Sequence, residues 1–249
     1  MIRRPRFLAL LAVLATPTIV AAANPYVAAI ADPGRPAEDT ARDADRKPAD
    51  MLAFAKVKSG ETVIDYIPSK GYFTRLFSAA VGPKGTVYAV TPQLMVALFA
   101  KMNRPLPASV TTEPGRGNVH DVMAHNGSLG VPDGSVDLFW TSQNYHDVHI
   151  FGGADQVAAL NKAVFAVLKP GGIYVVLDHA AKPGIDDATM KQLHRIDEAA
   201  VKKEVLAAGF KLDGESKVLA NPADPHTANV FDPSIRGHTD QFILRFRKP

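Results

Sequence analysis

The stretch Glu61 to Val90, ETVIDYIPSKGYFTRLFSAAVGPKGTVYAV, limits what this chain can fold into more than any other. Thr62 to Ile67 is a short apolar run rich in β-branched residues, the composition of a strand buried on both faces. Tyr72, Phe73, Leu76, Phe77 and Ala80 then recur at helical spacing. Gly82-Pro83-Lys84-Gly85 breaks the chain, and Thr86 to Val90 begins a second strand. Strand, turn, helix, turn, strand is the unit from which parallel sheets are built. The turn after its first strand faces a ligand, where glycines let the backbone come close and the helix N-terminus offers free N–H groups.

The same reading places the other elements. Pro48 to Lys56 is expected to be a short helix, with Met51, Leu52 and Phe54 buried. Gln93 to Met102 reads as a helix stopped by Pro105, and Asn118 to Met123 as a third strand. After the turn Pro132 to Ser135, Val136 to Thr141 is a fourth strand. Ala154 to Leu168 carries Val157, Leu160, Ala163, Val164 and Val167 on one face, an amphipathic helix stopped by Lys169-Pro170-Gly171-Gly172. Ile173 to Leu177 is a fifth strand and Asp187 to Ala208 a helix. Lys211 to Leu219 and Gln241 to Arg247 are two closing strands. Strand and helix alternate until two strands follow one another, so the sheet is expected to be mainly parallel with an antiparallel last strand.

The first turn resembles motif I of the class I S-adenosylmethionine (SAM) dependent methyltransferases, an acidic residue followed by alternating glycines. Asp65 and Gly71 match it, while Ile67 and Ser69 stand where the earlier glycines would be, with Pro68 and Lys70 between. Val136-Asp137-Leu138 after PDGS, the turn Leu168 to Gly172 and Ala208-Gly209-Phe210 are similar to the same family. The combination GYFTRLF, NYHD, LDHAA, HRID and TDQFILRFRKP resembles an exported bacterial family of predicted methyltransferases. The resemblance implies an α/β, Rossmann-like fold with a seven-stranded sheet, and SAM as cofactor. It implies a cofactor site at Asp65, Ile67, Pro68, Ser69, Gly71, Tyr72 and Thr91, with His125 and Asn126 near the adenine. The family's ribose-binding carboxylate at the end of strand two is replaced by Thr91-Pro92. Losing a charge-assisted contact of ~1.5–3 kcal/mol predicts that SAM binds about tenfold or more weakly.

Ligands of open α/β sheets bind beyond the carboxyl ends of the parallel strands, which gathers scattered polar residues on one rim. Strand four runs into Ser142 to Asp147 and strand five into Asp178-His179. Asn221, Asp224, His226, Arg236, His238, Thr239 and Asp240 reach the same side from the last connections. His146 is expected to act as a general base near neutral pH, oriented by Asp178 or Asp147, with Tyr145 shaping the acceptor pocket and His179 beside it. The alternative is that these residues cap strands and bond loop backbone. His146-Asp147-Val148-His149, with His179 and His238, offers metal-ligand types. The spacing is not that of a helical zinc motif and no cysteine assists, so no metal is expected. His194-Arg195 reads as part of an exposed, salt-bridging helix face, and Trp140 as core.

At the N-terminus, Arg3, Arg4 and Arg6 precede the apolar run Phe7 to Val20 and the small residues Ala21 to Ala23. This is the three-part pattern of a secretory signal peptide (1–23), and it predicts export to the periplasm. The run is shorter than the ~20 residues a membrane span needs and Thr16-Pro17-Thr18 interrupts it, so no stable membrane anchor is expected. Removing the three leader arginines leaves equal numbers of basic and acidic residues, which gives no basis for a nucleic-acid or anionic-membrane partner. A small-molecule ligand is the expected one. Residues 24–47, rich in Ala, Pro, Asp and Arg without periodicity, are expected to form an extended arm, and 48–249 the methyltransferase-like domain. Two functions stay open: an exported methyltransferase acting on a small molecule or envelope component, and a binding protein or different enzyme using the His/Asp/Tyr rim on the same scaffold.

Overall fold

A computed structural model describes residues 25–125 and 127–249, so the leader and Asn126 lie outside the described residues. The chain forms one seven-stranded sheet. Its strands are β1 (Thr62–Tyr66), β2 (Thr86–Pro92), β3 (Val119–Ala124), β4 (Val136–Ser142), β5 (Leu168–His179), β6 (Lys211–Ser216) and β7 (Gln241–Arg247), in the spatial order β3-β2-β1-β4-β5-β7-β6. The pairs β1–β2, β1–β4, β2–β3 and β4–β5 are parallel. β7 runs antiparallel to both of its neighbours. The expected sheet, mainly parallel with an antiparallel last strand, is the observed one.

Successive strand residues point to opposite faces, and both faces are covered. On one face Ile64, Tyr66, Phe139, Tyr174 and Val176 pack in a core with α7 (Tyr145–Val167) and α9 (Glu198–Ala207). On the other, Val63, Leu138, Trp140, Val175 and Leu177 pack with α4 (Pro48–Phe54) and α5 (Tyr72–Val81). Trp140 is fully buried there between Phe73 and Phe77, as its reading as core required. No helix among the described residues is long and apolar enough to cross a membrane.

Three expectations are corrected. The segment read as an extended arm is folded into three short helices, α1 (Val27–Ile30), α2 (Ala37–Thr40) and α3 (Asp43–Arg46). Four-residue helices do not hold themselves together in water. Ion pairs fix these: Arg35 on Asp43 through two bonds of 2.9 and 2.6 Å, Arg75 on Asp39 at 3.0 Å, and Arg116 on Asp32 at 2.7 Å. Second, α7 begins at Tyr145 rather than Ala154, with a break at Gly153 (φ 73°), so Tyr145, His146 and Asp147 are its first turn and not a free loop. Third, the helix expected over 187–208 is two, α8 (Asp187–Leu193) and α9, separated at His194, whose backbone is left-handed. Arg195 is therefore not on an exposed helix face. It is fully buried and grips Asp224 at 2.8 and 3.2 Å.

Candidate functional site

Strand order reverses between β1 and β4, and the crevice beyond their carboxyl ends is where an α/β sheet takes a ligand. The turn from β1 to α5 forms one wall. Its backbone is left-handed at Ile67 (φ 56°), Ser69 (φ 54°) and Gly71 (φ 82°), the three alternating positions of the glycine motif. For an L-residue that conformation costs roughly 1–2 kcal/mol, and a β-branched residue there is an outlier. Ile67 is tied on both sides: its N–H donates to Val90 O at 2.8 Å and its carbonyl accepts from Asn144 Nδ2 at 3.2 Å. A side chain on Gly71 would meet Val110 at 2.2 Å, so this position needs glycine twice over. Pro68 O accepts from Gly71 N–H at 2.9 Å, and Ser69 is exposed.

Asp65 is buried inside β1. Thr74 Oγ1 donates to it at 2.6 Å, and burial pushes its carboxyl up to about 7 against the help of Thr74 and Arg46. Its side chain accepts from the first turn of α5 rather than reaching into the crevice. Tyr72 opens α5 but is covered: its hydroxyl donates to Asp43 Oδ1 at 2.7 Å, and the guanidinium of Arg46 lies 4.6 Å from its ring. Thr91 sits in β2, half-buried and paired with Met123. His125 is exposed beyond β3, with Nδ1 3.1 Å from Met123 O. Asp65 and Tyr72 are thus taken up by internal contacts.

The second wall is the end of β4. A cavity of about 60 Å³ lies between it and α3, lined by Arg42, Arg46, Phe73, Ser142, Gln143 and Gln241 among others. Arg46 Nη2 donates to Gln143 Oε1 at 3.0 Å. Loss of water and the neighbouring Arg42 push the Arg46 guanidinium down to about 10, against the attraction of Tyr72, Asp65 and Asp39. Thr141 Oγ1 and Ser142 Oγ, both buried, have no hydrogen-bond partner among the described residues.

Of the rim residues, Tyr145, His146, Asp178 and His179 do not line this cavity. Tyr145 is fully buried in the core, its hydroxyl donating to Glu204 at 3.0 Å and accepting from Asn161 at 2.8 Å, so it does not shape an acceptor pocket. His146 is buried, with Nδ1 2.7 Å from Asp178 Oδ1 and its backbone N–H on Asp178 Oδ2 at 2.9 Å. Burial works against charge on the ring, yet Asp178 and Asp147 outweigh it and raise the His146 pKa above the ordinary value. Burial likewise works against the Asp178 charge. His146, His179 and the backbone N–H of His146 prevail and hold that carboxyl below the ordinary range. Half-buried His179 is pushed down to about 4 by loss of water, opposed by Asp178, and its Nδ1 lies 2.7 Å from Thr239 Oγ1. The expected His146–Asp178 pair is therefore real, but it faces inward.

No protein-family model matches the chain. The ubiquinone/menaquinone biosynthesis C-methyltransferase UbiE of Escherichia coli (strain K12 / DH10B) is 30% identical over 190 residues, 76% of this chain and 64% of the relative. The protein of the same name from Pasteurella multocida is 32% identical over 130 residues, 52% of this chain and 44% of the relative. The chain thus spans between 44% and 64% of the length of these curated relatives. Among solved structures, a SAM dependent methyltransferase from Aquifex aeolicus superposes with a TM-score of 0.56 at 17% identity, covering 84% of this chain and 98% of that one. An S-adenosylmethionine dependent methyltransferase from Mesorhizobium loti gives 0.52 at 16% identity, covering 82% and 98%. The fold is that of the class I SAM-dependent methyltransferases. The [4+2]-cyclase SpnF shares it as well, with a TM-score of 0.56 at 19% identity over 83% of this chain and 81% of that one.

Two side chains of this methyltransferase-like fold escaped the sequence reading. Arg46 sits in a stretch without periodicity, and only its long-range contact with Gln143 reveals it. His194 looks like a helix residue, but its ring packs 5.5 Å from that of His146. The one available signal was local: a histidine four residues before Glu198, with Asp197 supplying the N-cap of the next helix.

Proposed function

We propose that the protein is an exported SAM-dependent methyltransferase acting on a small molecule or a component of the cell envelope, with its cofactor on the β1–α5 turn. The observation that carries this reading is the left-handed backbone at Ile67, Ser69 and Gly71 at the point where the strand order reverses. Strain of this kind persists at ligand clamps, where the surroundings over-determine it. Arg46 fits a SAM-like ligand as well, since a guanidinium stacked on Tyr72 and hydrogen-bonded to an amide can still take the carboxylate of an amino-acid moiety. When bound, the cofactor supplies an electrophilic methyl group. The turn backbone and Arg46 orient the ligand, Phe73, Leu177 and Leu219 exclude water, and Ser142 and Gln143 offer hydrogen bonds on the acceptor side. A cavity of about 60 Å³ holds roughly two waters, so loading requires α3, which carries Arg46, to move off the crevice. The charged, apolar and small-residue segments of 1–23 support export.

Calorimetric titration of the protein with SAM and S-adenosylhomocysteine tests the reading. The expected result is weak, saturable binding that Arg46→Ala reduces about tenfold or more, the worth of one charge-assisted contact. Absence of heat with both ligands, on a folded sample, overturns it. One observation favours the second reading, a non-methyltransferase function on the same scaffold: Pro68 has no N–H to give a ligand, while Ser142 Oγ in the cavity wall has no hydrogen-bond partner among the described residues. Binding of a simple carboxylate such as acetate at Arg46, without SAM binding, is the outcome that reading expects.

A further inference from the structure

We propose that His146, Asp147 and His194 form a binding site for a divalent first-row transition ion, zinc(II) or iron(II), at the junction of α7 and α8. One ligand atom from each of the three side chains lies within 4.8 Å of the other two. Asp147 Oδ1 is 3.4 Å from His146 Nε2 and 3.4 Å from His194 Nδ1. An ion about 2.0–2.1 Å from nitrogen and oxygen ligands at tetrahedral angles spaces those ligands by about 3.3 Å, so two of the three edges already have the length that a metal imposes. Two imidazoles and one carboxylate are the donor set of catalytic zinc and of non-haem iron(II), and three protein ligands leave a position for water or substrate.

The surroundings are those of a metal centre. His146 Nδ1 faces Asp178 at 2.7 Å, and Asp178 also accepts from the backbone N–H groups of His146 and His179, the role of an ionised carboxylate. With Nδ1 as donor to that carboxylate, the lone pair of His146 Nε2 points toward Asp147 and His194. A carboxylate behind a ligating histidine in this way fixes the tautomer and raises ligand basicity. His194 Nδ1 is buried and has no hydrogen-bond partner among the described residues, so its lone pair or proton is spent on nothing else.

The backbone also aims His194 inward. It is left-handed (φ 53°, ψ 48°) at the end of α8, and the next residue, Arg195, locks the segment by bonding Asp224, Ala180 O and Ala228 O. Phe231 packs against the His194 ring, centroid to centroid at 5.1 Å. The Asp147 and His194 side chains retain 18% and 22% exposure, which gives an ion a way in. The inference does not depend on SAM binding: the three ligands lie outside the cavity that holds Arg46.

The test uses the full chain, stripped with chelator and titrated with zinc(II) by calorimetry and with cobalt(II) by visible absorption. One equivalent is expected, with the intense ligand-field bands of a low-symmetry cobalt(II) site. His194→Gly removes a ligand at a position whose left-handed backbone favours glycine, so it keeps the fold. It and Asp147→Asn should each weaken zinc binding by about 100-fold or more, and Asp178→Asn by about 10- to 100-fold. His226→Gln, at the separate His226–Asp240 pair, should change nothing. Failure to bind one equivalent of either ion, or binding that His194→Gly and Asp147→Asn leave intact, overturns the proposal.

Discussion

The β1–α5 turn and the rim beyond β4 and β5 invert one another. In the turn the side chains depart from the glycine pattern, yet Ile67 and Ser69 adopt the backbone that glycine would take. At the rim the side chains are of the types a catalytic site uses, yet all three of Tyr145, His146 and Asp178 are buried, His146 bonded to Asp178 and Tyr145 to Glu204 and Asn161. The shape of a turn between a fixed strand end and a fixed helix start is imposed by the elements it joins. What a polar side chain does is decided by whether water reaches it. Residue type therefore misleads in opposite directions at the two places.

The largest expected effect tests whether the rim is structural. Arg195→Ala leaves Asp224 buried without its partner, which costs ~3–5 kcal/mol. At roughly 2–4 °C per kcal/mol for a chain of this size, thermal melts should fall by about 10 °C. A shift within a degree or two would mean that the segment after α8 is an open loop. His146→Ala comes next. It strips Asp178 of one of its donors and should cost ~1–3 kcal/mol, where a solvent-facing histidine would cost almost nothing.

Titration separates the two regions by sign. Asp65, at about 7 when folded against 3.8 when unfolded, holds a proton in the native chain that the unfolded chain has released. Its contribution is present below 3.8 and is lost as pH rises to 7. His179, at about 4 against 6.5, does the reverse: the unfolded chain takes the proton, so stability is lost as pH falls from 6.5 to 4. Denaturant unfolding across pH 4–7 should therefore show Asp65→Asn gaining on the wild type with rising pH and His179→Gln gaining with falling pH. Parallel curves would remove the distinction. The smallest effect belongs to the turn. Ser69→Gly relieves a left-handed serine at an exposed position and should stabilise by ~1 kcal/mol, less the entropy that glycine adds to the unfolded chain. A loss of stability would show that the serine side chain holds something.

The strands were readable because apolar runs and Gly/Pro punctuation are local. β1, β2, β4 and β7 fall within a residue or two of their expected bounds. The first turns of α7 were not readable, because the regular apolar spacing begins only at Val157 while the helix itself starts at Tyr145 and continues past the break at Gly153. The division of α8 from α9 carries no glycine or proline at all; a left-handed histidine makes it, held by Arg195 reaching 29 residues ahead to Asp224. The helices of 25–47 depend on partners such as Arg75 and Arg116, and no window of sequence around them contains those partners.

The antiparallel β7 lies between β5 and β6, so β6 has no neighbour in the sheet until the final stretch Gln241–Arg247 arrives. Arg245 then bonds Phe54 O at 2.6 Å, joining the end of the chain to a helix made almost two hundred residues earlier. β6 therefore holds its place only through β7, and a deletion of Gln241 to Pro249 should remove two strands rather than one.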